Sequence, residues 1–176
     1  GIYITNTPGH YDNCVAEHAV ALTLALTTRL VEGDKFMREG KYKCWSPDIF
    51  VGTDLAGKTL GLVGAGRIGQ MLAQRLSKGF EMKILYTDVK RNETIEKELG
   101  AEYHENIDDV LKNADVVSIH TPLLPSTKHL INEEKLKLMK KTSYLINTSR
   151  GPVVDEVALV KALQEGSIRG AGLDVF

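Results

Sequence analysis

An α/β chain with a doubly wound, mainly parallel sheet and helices on both faces is the fold class this sequence predicts. Three observations carry that expectation. Apolar strand-like runs alternate with helix-spaced apolar patterns from Thr59 onward, and the connections between them are short. The glycine series Gly64-Ala65-Gly66-Arg67-Ile68-Gly69 stands between one such run and one such pattern, which is the placement of a strand–turn–helix unit.

Taken in order, Ile2-Tyr3-Ile4-Thr5 is a short strand candidate, closed by the turn residues Asn6-Thr7-Pro8-Gly9. Asp12 or Asn13 can cap a long helix running to about Val31. Its apolar residues, among them Val15, Ala19, Val20, Leu22, Leu24, Leu26 and Leu30, leave almost no polar face. Such a helix must be covered on most sides, by another domain, a second subunit or both. Residues 33–54, with Trp45, Pro47 and Gly52, read as a short helix followed by an irregular crossing segment. Strands are expected over Thr59–Val63, Met82–Thr87, Ala101–His104, Val116–His120, Tyr144–Asn147 and Ile168–Val175. Helices are expected over Arg67–Lys78, Glu93–Leu99, Ile107–Lys112, Asn132–Met139 and Glu156–Gln164.

Composition bounds the function classes. A formal net charge of −1 over 176 residues, with 43% hydrophobic and 26% charged content, is that of an ordinary globular protein. It gives no sign of a nucleic-acid or anionic-membrane partner. Cys14 and Cys44 form no C-x-x-C pair, so neither zinc nor a disulfide framework is suggested and a reducing cytoplasm is the simplest expectation. The longest apolar stretch, Val15–Leu26, contains Glu17, His18 and Thr23 and falls short of a membrane span. No signal-peptide pattern is present, no metal-ligand spacing joins His10, His18, His104 and His129, and both chain ends look cut.

The glycine series carries the chemistry. Gly64 permits a tight turn out of the strand, Gly66 lets backbone approach a pyrophosphate with no Cβ in the way, and Gly69 lets the helix pack close to the sheet. The helix starting near Arg67 then offers unpaired N–H groups and the positive end of its dipole to phosphates. Asp88 ends the next strand run, about 20 residues on, where an acid can accept hydrogen bonds from the adenosine ribose hydroxyls. It would repel a 2′-phosphate, which favours NAD over NADP, although Lys90 and Arg91 stand close enough to soften that preference. The alternative is a glycine turn in an α/β fold with no ligand.

Ligands of open α/β sheets bind beyond the carboxyl ends of the strands, so the residues after each run matter. In His120-Thr121-Pro122, Thr121 could hydrogen-bond a cofactor sugar and Pro122 would form a rigid lip. His120 is read as pocket wall rather than proton donor, because nothing in the sequence supplies a carboxylate to orient it. In Asn147-Thr148-Ser149-Arg150-Gly151, the planar fork of Arg150 can bind a carboxylate and polarise an adjacent carbonyl. It could equally be a surface arginine paired with Asp155 or Glu156. Asp174 could accept from the nicotinamide carboxamide, or be a helix cap or the partner of Arg169.

Together these stretches resemble the D-isomer-specific 2-hydroxyacid dehydrogenase family. The likeness runs through Asn6-Thr7-Pro8, Val15-Ala16-Glu17, Gly57-Lys58-Thr59-Leu60-Gly61, the glycine series, His120-Thr121-Pro122-Leu123, Leu138-Met139-Lys140, Asn147 to Gly151 and Gly170 to Phe176. It implies a Rossmann-type NAD site in an oxidoreductase that reduces a 2-keto acid to a D-2-hydroxy acid. Arg150 would be the substrate-binding catalytic arginine. Arg67 and Ile68 would meet the pyrophosphate, Asp88 the ribose, Thr121 and Thr148 the cofactor's flanks, and Asp174 the nicotinamide amide. Thr7 would approach from the hinge, with His120, Pro122 and Ser149 completing the cofactor site.

The resemblance also implies that residues 1–8 are a remnant strand and hinge of a substrate domain, and 9–176 the dinucleotide-binding domain. The family's proton-donating histidine and its glutamate would fall beyond Phe176, so the chain alone is expected to be inactive. A homodimer through the Val15–Val31 helix is implied as well. The second functional reading is an NAD(H)-sensing binding module, similar to transcriptional corepressors that use this domain.

Overall fold

The computed structural model describes residues 2–5, 9 and 11–176. Six strands form one sheet in the order β3-β2-β1-β4-β5-β6: β1 (Thr59–Val63), β2 (Lys83–Thr87), β3 (Glu102–Tyr103), β4 (Val116–Ile119), β5 (Tyr144–Asn147) and β6 (Gly170–Leu173). Every pairing among them is parallel. The chain winds outward from β1 to β3, then returns to the other side of β1 as β4 and winds outward again. β1 and β4 therefore flank the point where the strand order reverses, and a crevice opens at their carboxyl ends.

The central strands β1, β4 and β5 bury side chains on both faces, so their runs are nearly continuously apolar rather than alternating. β4 and β5 are buried at every position. On one face, Leu60, Leu62, Ile84, Tyr86 and Ile146 meet helices α1 (Asp12–Thr27), α3 (Arg67–Phe80) and α4 (Glu93–Leu99) through Ala19, Leu72, Leu76 and Ile95. On the other, Val63, Val117, Ile119 and Leu145 meet α5 (Ile107–Asn113), α6 (Glu133–Leu138) and α7 (Glu156–Gln164) through Leu111, Leu136 and Leu159. This is the doubly wound architecture the alternation predicted.

Four of these helices begin on a side-chain cap. Asn92, Asn106, Asn132 and Asp155 accept backbone N–H groups from the first turns of α4, α5, α6 and α7, satisfying donors that the helix leaves unpaired. α3 has none: its N-cap is Gly66, with no side chain to offer.

Two sequence expectations are corrected. Residues 2–5 belong to no strand, and Ile2, Tyr3 and Ile4 are more than nine-tenths exposed; a strand exists through its ladder, and this segment pairs with none among the described residues. The N-terminal helix does not run unbroken to Val31. It ends at Thr27, Arg29 takes a left-handed conformation (φ 56°), and α2 (Leu30–Arg38) starts at a bend of 63°. Thr23 and Thr27 turn their hydroxyls back onto the carbonyls of Ala19 and Thr23, a bond that competes with the helix ladder, and Thr53 N–H takes the Thr27 carbonyl at 2.7 Å. The start also differs: Tyr11 is the N-cap without a side-chain bond, and Asp12 lies inside the first turn. Within the chain α1 is half covered, burying Ala16, Ala19, Thr23 and Thr27 while Leu22, Leu24 and Leu26 remain partly exposed.

The segment after α2 is irregular, as expected. It is pinned by the edge-on contact of Phe36 with Phe50 and by Arg29 over the Phe50 ring. No single helix among the described residues is long and apolar enough to cross a membrane.

Candidate functional site

The crevice at the carboxyl ends of β1, β2 and β4 is a cleft of about 1000 Å³. Its walls bring together Gly64, Gly66, Asp88, His120, Thr121 and Pro122, which the sequence had singled out from three separate stretches.

Each glycine of the turn is explained by its surroundings. Gly64 has φ +96°, and a Cβ there would lie 2.8 Å from the His120 carbonyl oxygen; the turn out of β1 and the end of β4 leave no room for a side chain. A Cβ on Gly69 would meet the Gly64 carbonyl at 2.4 Å, so α3 can sit this close to the turn only without one. A Cβ on Gly66 would meet no atom of the described residues within 4 Å. Gly66 lines the cleft, so the space left by its missing side chain lies open at the uncapped start of α3 and matches the approach of a phosphate to backbone.

Asp88 is held before any ligand arrives. Its Oδ2 accepts the Ala65 N–H at 2.7 Å and its Oδ1 the Lys90 N–H at 3.4 Å. The side chain of Asn92 closes the same loop by donating to the Ala65 carbonyl at 2.7 Å. The acid and the glycine turn are thus one hydrogen-bonded unit, and the Ala65 N–H is taken by the carboxylate.

Two hydroxyls at strand ends test whether a cofactor fits. Thr121 Oγ1 and Thr148 Oγ1 are buried with no hydrogen-bond partner among the described residues, a costly condition for a polar group that a polar ligand along this edge would relieve. Together with the open space at Gly66, they fit a dinucleotide.

His120 is a wall of the cleft. Burial pushes its pKa down to about 4, and Ser118 Oγ stands 2.9 Å from its Nε2. No carboxylate is bonded to it among the described residues, so it is neutral at ordinary pH. The side chain of Arg67 turns away from the cleft, with Nε 2.8 Å from Asp12 on α1; its backbone, with that of Ile68, stays at the first turn of α3.

Beyond β5, Asn147 builds the loop that carries the other candidates. Its Oδ1 accepts from the N–H and hydroxyl of Ser149, and its Nδ2 donates to the Arg150 carbonyl at 3.0 Å. Arg150 is exposed and, among the described residues, donates only to the Ser149 carbonyl. Asp155 caps α7 instead of pairing with it, and no carboxylate contacts Arg150 among the described residues. Asp174 pairs with neither Arg169 nor a helix end: its Oδ1 is 3.2 Å from His18 Nε2 on α1. Thr148, Ser149, Arg150 and Asp174 share the edge of the sheet with the cleft but stand outside its walls. Thr7 lies outside the described residues.

The sequence reading missed several residues here. Tyr103, Glu105 and Asn106 line the cleft below Asp88, and the short β3 that brings them there gives almost no periodic signal. The Asx caps were visible as Asn92 and Asn106 preceding helical patterns. The pairing of His18 with Asp174 was not visible, because the two stand at opposite ends of the sequence and only the fold joins them.

Comparison with known proteins bears on family and fold. The family model described as D-isomer specific 2-hydroxyacid dehydrogenase, NAD binding domain, matches residues 20–176. The chain is 55% identical over its whole length to a protein named glyoxylate reductase from Thermofilum pendens, covering 52% of that protein. It is 54% identical to the glyoxylate reductase of Pyrococcus furiosus, covering 53%. Among solved structures it resembles the D-lactate dehydrogenase of Aquifex aeolicus complexed with NAD and lactic acid, with a TM-score of 0.90 and 41% identity over the whole chain and 51% of that one. The chain spans about half the length of the curated relatives it matches.

Proposed function

This chain belongs to the D-isomer specific 2-hydroxyacid dehydrogenase family, matching its NAD binding domain, and from that premise we propose that it serves an NAD-dependent oxidoreductase reducing a 2-keto acid to a D-2-hydroxy acid. The observation that carries the reading is Arg150: an arginine at the crevice edge with no carboxylate of its own, beside the unpartnered hydroxyl of Thr148. A guanidinium in that condition is ready to take the carboxylate of a substrate in two parallel hydrogen bonds and to polarise the neighbouring carbonyl.

Gly64, Gly66 and the first turn of α3 at Arg67 and Ile68 take the pyrophosphate, with Gly69 letting that helix close in. Asp88 takes the ribose hydroxyls. Thr121, Pro122 and His120 border one flank of the cofactor, Thr148 and Ser149 the other, and Thr7 approaches from the hinge. Asp174 accepts from the carboxamide and exchanges that bond for its contact with His18. When bound, the nicotinamide supplies the hydride; Arg150 holds the acceptor in place. His120, neutral and without an orienting acid, does not donate the proton, so that role falls to a residue other than those assigned here.

Residues 1–8 are proposed as a remnant and hinge of a substrate domain, residues 2–5 pairing with no strand among the described residues, and 9–176 as the dinucleotide-binding domain. A homodimer is proposed through the partly exposed apolar side of α1 and the exposed Leu30 and Val31 at the start of α2. The exposed, unpaired Cys14 and Cys44 support a reducing, cytoplasmic setting. The relatives' names are those of reductases and dehydrogenases, which favours the enzyme over an NAD(H)-sensing module.

The test is glyoxylate-dependent NADH oxidation by the full-length protein and its Arg150→Met variant. A loss of at least about a hundredfold in kcat/KM is expected, as for removal of a group that stabilises the reacting carbonyl. A variant within threefold of the parent would refute the role of Arg150. The purified protein is expected to bind NADH.

A further inference from the structure

Arg91 stands one loop turn from Asp88, where a cation would be expected to invite the 2′-phosphate of NADP rather than exclude it. Its guanidinium is already spent. Nε donates to Glu96 Oε1 at 3.1 Å and Nη2 to Glu96 Oε2 at 2.8 Å, the two-pronged geometry in which arginine binds a carboxylate best. Its Cζ lies 5.2 Å from the centre of the Tyr103 ring, and Tyr103 lines the cleft and bonds the Asp88 carbonyl through its hydroxyl. Arg91 is therefore beside the ribose end of the cleft but aimed away from it.

Glu96 is itself fixed. The Tyr86 hydroxyl donates to its Oε1 and accepts the Asn92 N–H at 2.8 Å. The Arg91 guanidinium, and after it the Tyr86 hydroxyl, hold the carboxyl below its ordinary pKa, so it stays charged. Glu96 is one-fifth exposed and Arg91 about three-fifths: the carboxylate is the anchored partner and the arginine the movable one.

We propose that Glu96 is a positioning residue for cofactor choice, holding Arg91 against Tyr103 and out of reach of a ribose 2′-phosphate, so that NADP is refused by a withheld cation as well as by the Asp88 carboxylate. The inference rests on the cofactor reading of the cleft. Glu96 touches no part of NAD; its effect passes through Arg91. Released, the arginine would swing on its three-carbon stem toward the space beside Asp88 and offer its fork to the extra phosphate.

The experiment is fluorescence titration of NADH and NADPH against the parent chain, Glu96→Gln, Arg91→Met and the double variant. In Glu96→Gln the NADPH Kd should fall by about tenfold, the scale of one new charge-assisted contact, while the NADH Kd moves less than twofold. Arg91→Met should leave both constants within twofold, and the double variant should return to the parent ratio. If Glu96→Gln leaves the ratio unchanged, or if the double variant keeps the gain, the clamp is wrong; the second outcome would mean that lost negative charge alone was responsible. A rise in both constants together in Glu96→Gln would mark a merely structural role and also overturn it. Failure of the parent chain to bind either nucleotide would instead remove the cofactor reading on which the proposal stands.

Discussion

Gly66 and Gly69 share a motif, yet they answer to different demands. Among the described residues an added Cβ meets nothing at Gly66 and runs into the Gly64 carbonyl at Gly69. Gly66→Ala should therefore keep the melting temperature within a degree or two and weaken NADH binding by at least about tenfold, whereas Gly69→Ala should lower stability by about 1–3 kcal/mol. Equal melting losses in the two would contradict this division. His120 gives a pH signature. Its folded pKa of about 4 lies below the ordinary 6.5, so between those values the unfolded chain binds a proton that the folded chain refuses. Stability from this group is full above pH 6.5, declines as the pH falls toward 4 and levels off below, by up to about 3 kcal/mol in all. Thermal melts of the parent and of His120→Gln across that range should show the slope in the parent alone. These roles were legible to different degrees. That Gly64, Gly66 and Asp88 meet at one cleft could be read from spacing, because backbone conformation and strand ends are local matters; for Arg150, position alone left a pairing with Asp155 or Glu156 equally open. The neutrality of His120 and the bond of Asp174 to His18 could not be read, since each depends on what the fold packs against the side chain.

At the scale of elements, strand and helix positions followed from the sequence wherever an apolar run was long and bounded by turn residues; β1, β5, α4 and α7 match the expected spans to the residue. The N-terminal helix did not. Its pattern carries no proline or glycine before Gly33, and the break comes from threonine back-bonding and from the returning segment at Thr53, a tertiary contact with no local signal. The Asx caps differ in their consequences. Asn132 serves only α6, whereas Asn92 caps α4 and also bonds the Ala65 carbonyl in the glycine turn. Asn132→Ala should cost about 1 kcal/mol and leave NADH affinity unchanged. Asn92→Ala should cost more and weaken NADH binding too, by loosening the loop that presents Asp88. Chemical denaturation paired with nucleotide titration separates the two; equal effects on affinity would refute the link.

For the molecule as a whole, the reversal of strand order between β1 and β4 gathers residues from 64 to 174 along one edge, and everything proposed for the site follows from that topology. NADH at a hundred times its Kd should raise the unfolding free energy by about 2.7 kcal/mol, through binding to the native state alone. A melting temperature that ignores NADH would argue against a native nucleotide site. Sedimentation of the full-length protein checks the dimer, with a monomer at micromolar concentration as the contrary result. The site's two ends are built unequally. Asp88, Ala65 and Asn92 form a rigid hydrogen-bonded unit at one end, while Arg150 and Asp174 stand exposed at the other. A ligand cut in two should feel that asymmetry: ADP-ribose should displace NADH from this chain with nearly the affinity of the whole dinucleotide, and nicotinamide mononucleotide should scarcely compete.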